Sequence, residues 1–98
     1  MVRINWTTLA VSELKAIREY IAKDSVKYAD LQIERIRAKT QILKTNPLAG
    51  RAVPEIKTPQ IREVFEGNYR IIYKVVDKDR VDILTIHHSA RDLSKRKL

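Results

Sequence analysis

The chain has 98 residues, a formal net charge of +8 and no cysteine. That length gives one small domain with a modest core. The charge favours an acidic partner. The missing cysteines exclude disulfides and thiolate metal sites and fit a reducing cytoplasm. No apolar run is long enough to cross a membrane. The opening MVRINW lacks the apolar centre of a secretion signal.

Val2 to Trp6 is a short strand candidate, with Val2, Ile4 and Trp6 on one side. The period then changes. Trp6, Ala10, Leu14, Ile17 and Ile21 step by threes and fours, which is one stripe of an α-helix. Asp24-Ser25 is a break able to cap a second helix. Val26, Ala29, Ile33, Ile36, Thr40 and Leu43 carry that helix to Asn46-Pro47, where proline forbids continuation. Two helices joined by so short a break form an antiparallel hairpin.

Pro47 to Pro59 reads as a loop holding all three prolines and Gly50. From Ile61 the pattern is extended. IREVFE and YRIIYKVV flank Gly67-Asn68, a two-residue turn with glycine first, as type II′ requires. DKDR makes a second turn, and VDILTIH is the last strand. Helices gathered before an antiparallel meander indicate an α+β domain: an N-terminal strand, a helical hairpin on one sheet face, then three antiparallel strands. One domain accounts for residues 1–98. The other sheet face is expected to be solvated or to hold a partner.

Alternation sorts the middle strand. Tyr69, Ile71, Tyr73 and Val75 form its core side, and the half-charged set Arg70, Ile72, Lys74 and Val76 is expected to face outward. The two turns set a register. Gly67-Asn68 puts Phe65 opposite Arg70 and Glu63 opposite Ile72. A four-residue DKDR loop puts Val76 opposite Val81 and Arg70 opposite His87. Phe65, Arg70 and His87 would then line one exposed row, which a one-residue slip would destroy.

IHHSARDL holds both histidines, His87 and His88. Neighbours on a strand point to opposite faces and cannot chelate one ion together, so no metal site is expected. A histidine at a strand end is more often a partly buried polar residue than a catalyst. Arg70 reads either as a surface ion pair with Glu63 or Glu66 or as an anion contact. Lys95, Arg96 and Lys97 form a basic tail that is either a solvated charge run or a source of phosphate affinity.

Several segments together resemble the ParE branch of the RelE/ParE superfamily of toxins. They are the strand ending at Trp6, the helix ELKAIREYIAKDS, the loop NPLAGRAVPE, and the strands IREVFEGNYRIIYKV and ILTIHHSARDL. The resemblance covers nearly the whole chain. It implies the toxic half of a type II toxin–antitoxin pair, with a cognate ParD-like antitoxin in a hetero-oligomer and no cofactor. It also implies a choice of targets. ParE-like members poison DNA gyrase. RelE-like members cut messenger RNA in the ribosome, using lysines before the hairpin, an arginine after it, and a later arginine and tyrosine.

Arg70 matches the hairpin arginine, and Arg91 matches the later one. The lysine positions fall at Ile61 and Glu63, and no tyrosine follows Tyr73. His87 or His88 could stand in for the missing acid or base, giving Arg70, His87, His88 and Arg91 as the ribonuclease set. The gyrase reading instead assigns target contacts to Arg70, His87, Arg91, Lys95, Arg96 and Lys97. On that reading, Arg70→Ala or Arg91→Ala should abolish toxicity without unfolding. A third alternative is an inactive relative that only binds the antitoxin.

Overall fold

The computed structural model describes residues 1–89. In chain order come β1 (Arg3–Trp6), α1 (Thr8–Ala22), α2 (Val26–Gln41), a 3-10 turn (Ile42–Lys44), β2 (Arg51–Ala52), β3 (Ile61–Glu66), β4 (Tyr69–Asp77) and β5 (Arg80–His88). They form a five-stranded sheet in the order β1-β5-β4-β3-β2. The fold is α+β, as the sequence leads one to expect. Two features go beyond the sequence reading. β1 pairs in parallel with β5, Arg3 against Arg80 and Trp6 against Ile83. A two-residue strand inside the proline-rich loop adds to the far edge, pairing Arg51 with Glu63 and Ala52 with Arg62.

The helix starts are fixed by hydroxyls. Thr7 Oγ1 accepts from Ala10 N and donates to the Ile83 carbonyl, so one side chain caps α1 and ties it to β5. Ser25 caps α2 by accepting from Tyr28 N. Such caps satisfy backbone donors that have no partner within the helix. α2 stops at Gln41, short of the expected end, and tightens into the 3-10 turn before Pro47.

The main core lies between the hairpin and one sheet face. Ala10, Leu14, Ile36 and Leu43 meet Ile71, Tyr73, Val81, Ile83 and Ile86, with Trp6, Ile17, Tyr69 and Val75 packed at its margin. The expected helical stripes therefore point inward, except that Val26 is exposed.

The opposite sheet face corrects an expectation. It is not open around Arg70 and Ile72. The proline-rich loop folds back over it, and Val53 and Ile72 form a second small core backed by Ile56, Ile61 and Leu84. Alternation assigns residues to faces correctly, but it cannot say that the chain's own loop covers the second one.

The first turn is as expected. Gly67 has φ +56°, and no other described residue has positive φ. Positive φ at the first turn position alone is the type II′ pattern. The second turn is tighter than expected, with Asp77 opposite Arg80, and Val75 rather than Val76 faces Val81. The extra residue on β4 is offset by an extra residue on β5 between Ile83 and Thr85. The two bulges cancel, so Arg70 still lies opposite His87.

Candidate functional site

Phe65, Arg70 and His87 do form one row across β3, β4 and β5. The row is not exposed. Arg70 is 6 % exposed and His87 2 %, and only Phe65, at 38 %, meets solvent appreciably. This overturns the outward placement of Arg70 and His87, and the physical reason is the covering loop.

Burying a guanidinium requires partners. Among the described residues Arg70 has two, on opposite edges of its fork. On the inner side Nε donates to Glu63 Oε1 at 2.7 Å, and Nη2 lies 2.6 Å from the same oxygen. On the outer side Nη1 and Nη2 donate to the two oxygens of Glu55 at 2.7 and 2.8 Å. The outer pair is the parallel fork geometry that makes arginine–carboxylate contacts strong. Glu63 comes from β3 and is fully buried, whereas Glu55 comes from the loop and its side chain is 25 % exposed. Glu63 also accepts from Arg51 Nε at 2.7 Å, and the Arg51 guanidinium sits 5.1 Å from the Phe65 ring centre. The last contact is a cation–π stack.

The network sets the protonation states. Hydrogen bonding from Arg70 holds the Glu55 carboxyl down at about 2 against the penalty of burial, with help from its own backbone and the charges of Arg70 and His87. Arg70 is held above the usual arginine value, chiefly by the same bond to Glu55. Both groups are charged across the biological pH range.

Tyr73 anchors the root of the loop. Its hydroxyl donates to the Pro47 carbonyl at 2.8 Å and accepts from Gly50 N at 2.9 Å. A Cβ at Gly50 would lie 2.6 Å from both the Glu63 carbonyl oxygen and the Tyr73 hydroxyl, so only glycine fits. Beside the network lies a cavity of about 240 Å³ lined by Arg51, Pro54, Glu55, Phe65, Arg70 and Ser89.

His88 points to the other face, as strand alternation requires. Its ring stands edge-on to Tyr69 at 5.6 Å, and it lines a cleft of about 620 Å³ with Glu13, Ile17 and Tyr20. The sheet therefore separates His88 from Arg70 and His87. Among the described residues no group of three or more His, Asp or Glu could hold a metal ion. Arg91, Lys95, Arg96 and Lys97 lie outside the described residues.

Of the network, sequence reasoning singles out Arg70 and His87, and it offers Glu63 or Glu66 as a surface partner of Arg70; the structure has Glu63, and the pair is buried. It misses Glu55 and Arg51. Their one signal is the need for carboxylates around an arginine on an otherwise apolar strand, with the loop acid Glu55 close enough along the chain to fold back.

The chain matches the family described as "ParE toxin of type II toxin-antitoxin system, parDE" over residues 4–93. It is 35 % identical over 92 residues to Toxin RelE2 of Caulobacter vibrioides, covering 93 % of this chain and 99 % of that one. Its fold is similar to a solved structure described as the chromosomal ParDE TA system from P. aeruginosa. That match has a TM-score of 0.72 and 21 % identity, and covers 90 % of this chain and 96 % of the other. With the fold, the hairpin arginine and the family match in agreement, this chain belongs to the ParE toxin family of type II toxin–antitoxin systems.

Proposed function

We propose that the protein inhibits DNA gyrase by binding it, without catalysing a reaction of its own, and that a cognate ParD-like antitoxin in the same cytoplasm neutralises it. The observation that carries this reading is the state of Arg70. RNA cleavage by 2′-hydroxyl attack needs free cations on the phosphate and an acid–base pair. Arg70 is instead buried and bound on both edges by Glu63 and Glu55. Glu63 stands where RelE-like toxins place a lysine, so an acid occupies the site of a required cation. On this reading the direct target contacts fall to Arg91, Lys95, Arg96 and Lys97 rather than to the buried Arg70 and His87.

One observation favours a second reading, a ribosome-dependent messenger RNA endonuclease. The 35 % identical relative is called RelE2. A supercoiling assay separates the two. Purified toxin is titrated against gyrase, relaxed plasmid and ATP. The gyrase reading expects loss of supercoiling with trapped cleaved plasmid. Full supercoiling at a large excess of folded toxin refutes it, and primer extension on ribosome-bound messenger RNA then tests the alternative.

A further inference from the structure

The Arg70 fork is divided between a permanent partner and a removable one. Glu63 is on β3, inside the ladder between β2 and β4, and its carboxylate is inaccessible to solvent. No loop movement takes it away. Glu55 is on the covering loop, and its side chain is 25 % exposed. Lifting this segment would leave Arg70 in place, oriented by Glu63, with its outer edge facing solvent.

The surroundings suit a ligand at that edge. The 240 Å³ cavity already opens beside Glu55 and Arg70. Arg51 supplies a second cation at its wall, held by Glu63 and stacked on Phe65. With Glu55 withdrawn, Arg51 and Arg70 face Glu63 among the described residues, an excess of positive charge. A carboxylate complements that charge, and the fork geometry in place is already that of a planar carboxylate.

We propose that the Arg70 fork is a carboxylate-exchange site: Glu55 is its resting occupant, and an aspartate or glutamate side chain of a protein partner is its alternative occupant. The partner's carboxylate replaces Glu55 on Nη1 and Nη2 and frees the loop carrying Val53 and Ile56. Exchange of one carboxylate for another keeps the charge-assisted hydrogen bonds in number and kind. What opposes it is the loss of the Val53–Ile72 packing. The net charge of +8 draws acidic segments to the surface. The proposal does not depend on whether gyrase or the ribosome is the target.

The test compares the full chain with Glu55→Ala and Glu55→Gln. Removing Glu55 leaves the Glu63–Arg70 pair intact, and two variants guard against one that folds poorly. The probe is a capped six-residue peptide of alternating glutamate and alanine, with sodium acetate as the small carboxylate. Peptide affinity is measured by titration calorimetry in every protein, and the Arg70 Nε–H signal in a nitrogen–proton NMR spectrum reports the site wherever Arg70 is present. Both variants should bind the peptide at least tenfold more tightly than the parent, which must first displace its own glutamate. Acetate should shift the same signal in the variants alone. Adding Arg70→Lys, which keeps the charge but loses the fork, should abolish the gain. In the parent at saturating peptide, the Val53 and Ile56 amides should lose protection from exchange. Equal binding to parent and variants, or a gain that survives Arg70→Lys, would show general charge attraction and overturn the proposal.

Discussion

Replacing Arg70 with methionine keeps the apolar stem and removes the charge. Glu63, 1 % exposed, is then left with Arg51 as its ionic partner, and the Arg51 side chain is 63 % exposed. Breaking a buried pair by deleting one member costs about 3–5 kcal/mol, because an uncompensated charge stays buried. A domain of this size has a total stability of roughly 5–15 kcal/mol, so the loss is a large part of the whole. At about 4–8 °C per kcal/mol, the melting temperature should fall by roughly 12–40 °C. The double variant Arg70→Met/Glu63→Leu removes both charges, and Arg51 returns to water. It should recover at least about 2 kcal/mol relative to Arg70→Met, a coupling measurable by urea denaturation of the four proteins in the cycle. If Arg70→Met alone costs under about 1 kcal/mol, or the double variant is no better than Arg70→Met, the buried-network argument fails. The result also governs any toxicity experiment. The sequence alone leads one to expect Arg70→Ala to abolish toxicity with the fold intact. With Arg70 buried, lost killing has meaning only beside a measured folded fraction.

Tyr73→Phe removes the acceptor for Gly50 N–H and should cost about 1–3 kcal/mol, with faster exchange of the Gly50 amide; an unchanged exchange rate would argue against the anchor. The contribution of Glu55 to stability has a defined pH window. Its folded pKa of about 2 lies below the ordinary 4.5, so its stabilisation is complete above pH 4.5 and is lost as pH falls through that value toward 2. Glu55→Gln should therefore lower the unfolding free energy from urea denaturation near pH 6 by about 1 kcal/mol, a small figure because the carboxylate is partly solvated, and the gap should close near pH 2. A gap that persists at pH 2 would assign the effect to packing. Gln32 is 7 % exposed, and its Nε2 has no hydrogen-bond partner among the described residues. Gln32→Leu should stabilise the protein by about 1 kcal/mol, and a loss of stability in thermal melts would contradict the orphaned amide.

The elements were legible because their periods are distinct. Ala10, Leu14 and Ile17 on one helix and Ala29, Ile33 and Ile36 on the other repeat at helical spacing, and Tyr69, Ile71, Tyr73 and Val75 alternate, so the main core could be read from the chain. The II′ turn at Gly67-Asn68 was legible because its backbone geometry selects glycine. A four-residue DKDR loop is longer than the actual second turn, yet the cancelling bulges keep Arg70 opposite His87. The covering loop was not legible. Val53, Ile56 and Glu55 have no periodic relation to one another, and their places depend on Tyr73 fixing Pro47 and Gly50 in three dimensions. An arginine beside apolar residues on a strand looks the same whether it meets solvent or a folded-back glutamate.

The parallel pairing of β1 with β5 has a consequence in time. Arg3 finds its ladder partner only when Arg80 exists, and Thr7 caps α1 while bonding the carbonyl of Ile83. During synthesis the helical hairpin can form early from local contacts, but the sheet edge beneath it has no template until the last described strand arrives. Such long-range pairing is slow to form. A chain stopped before β5 would lack Val81, Ile83 and Ile86 from the core and any support for β1. The edge of the sheet that carries β1 therefore comes into being only once β5 has been made.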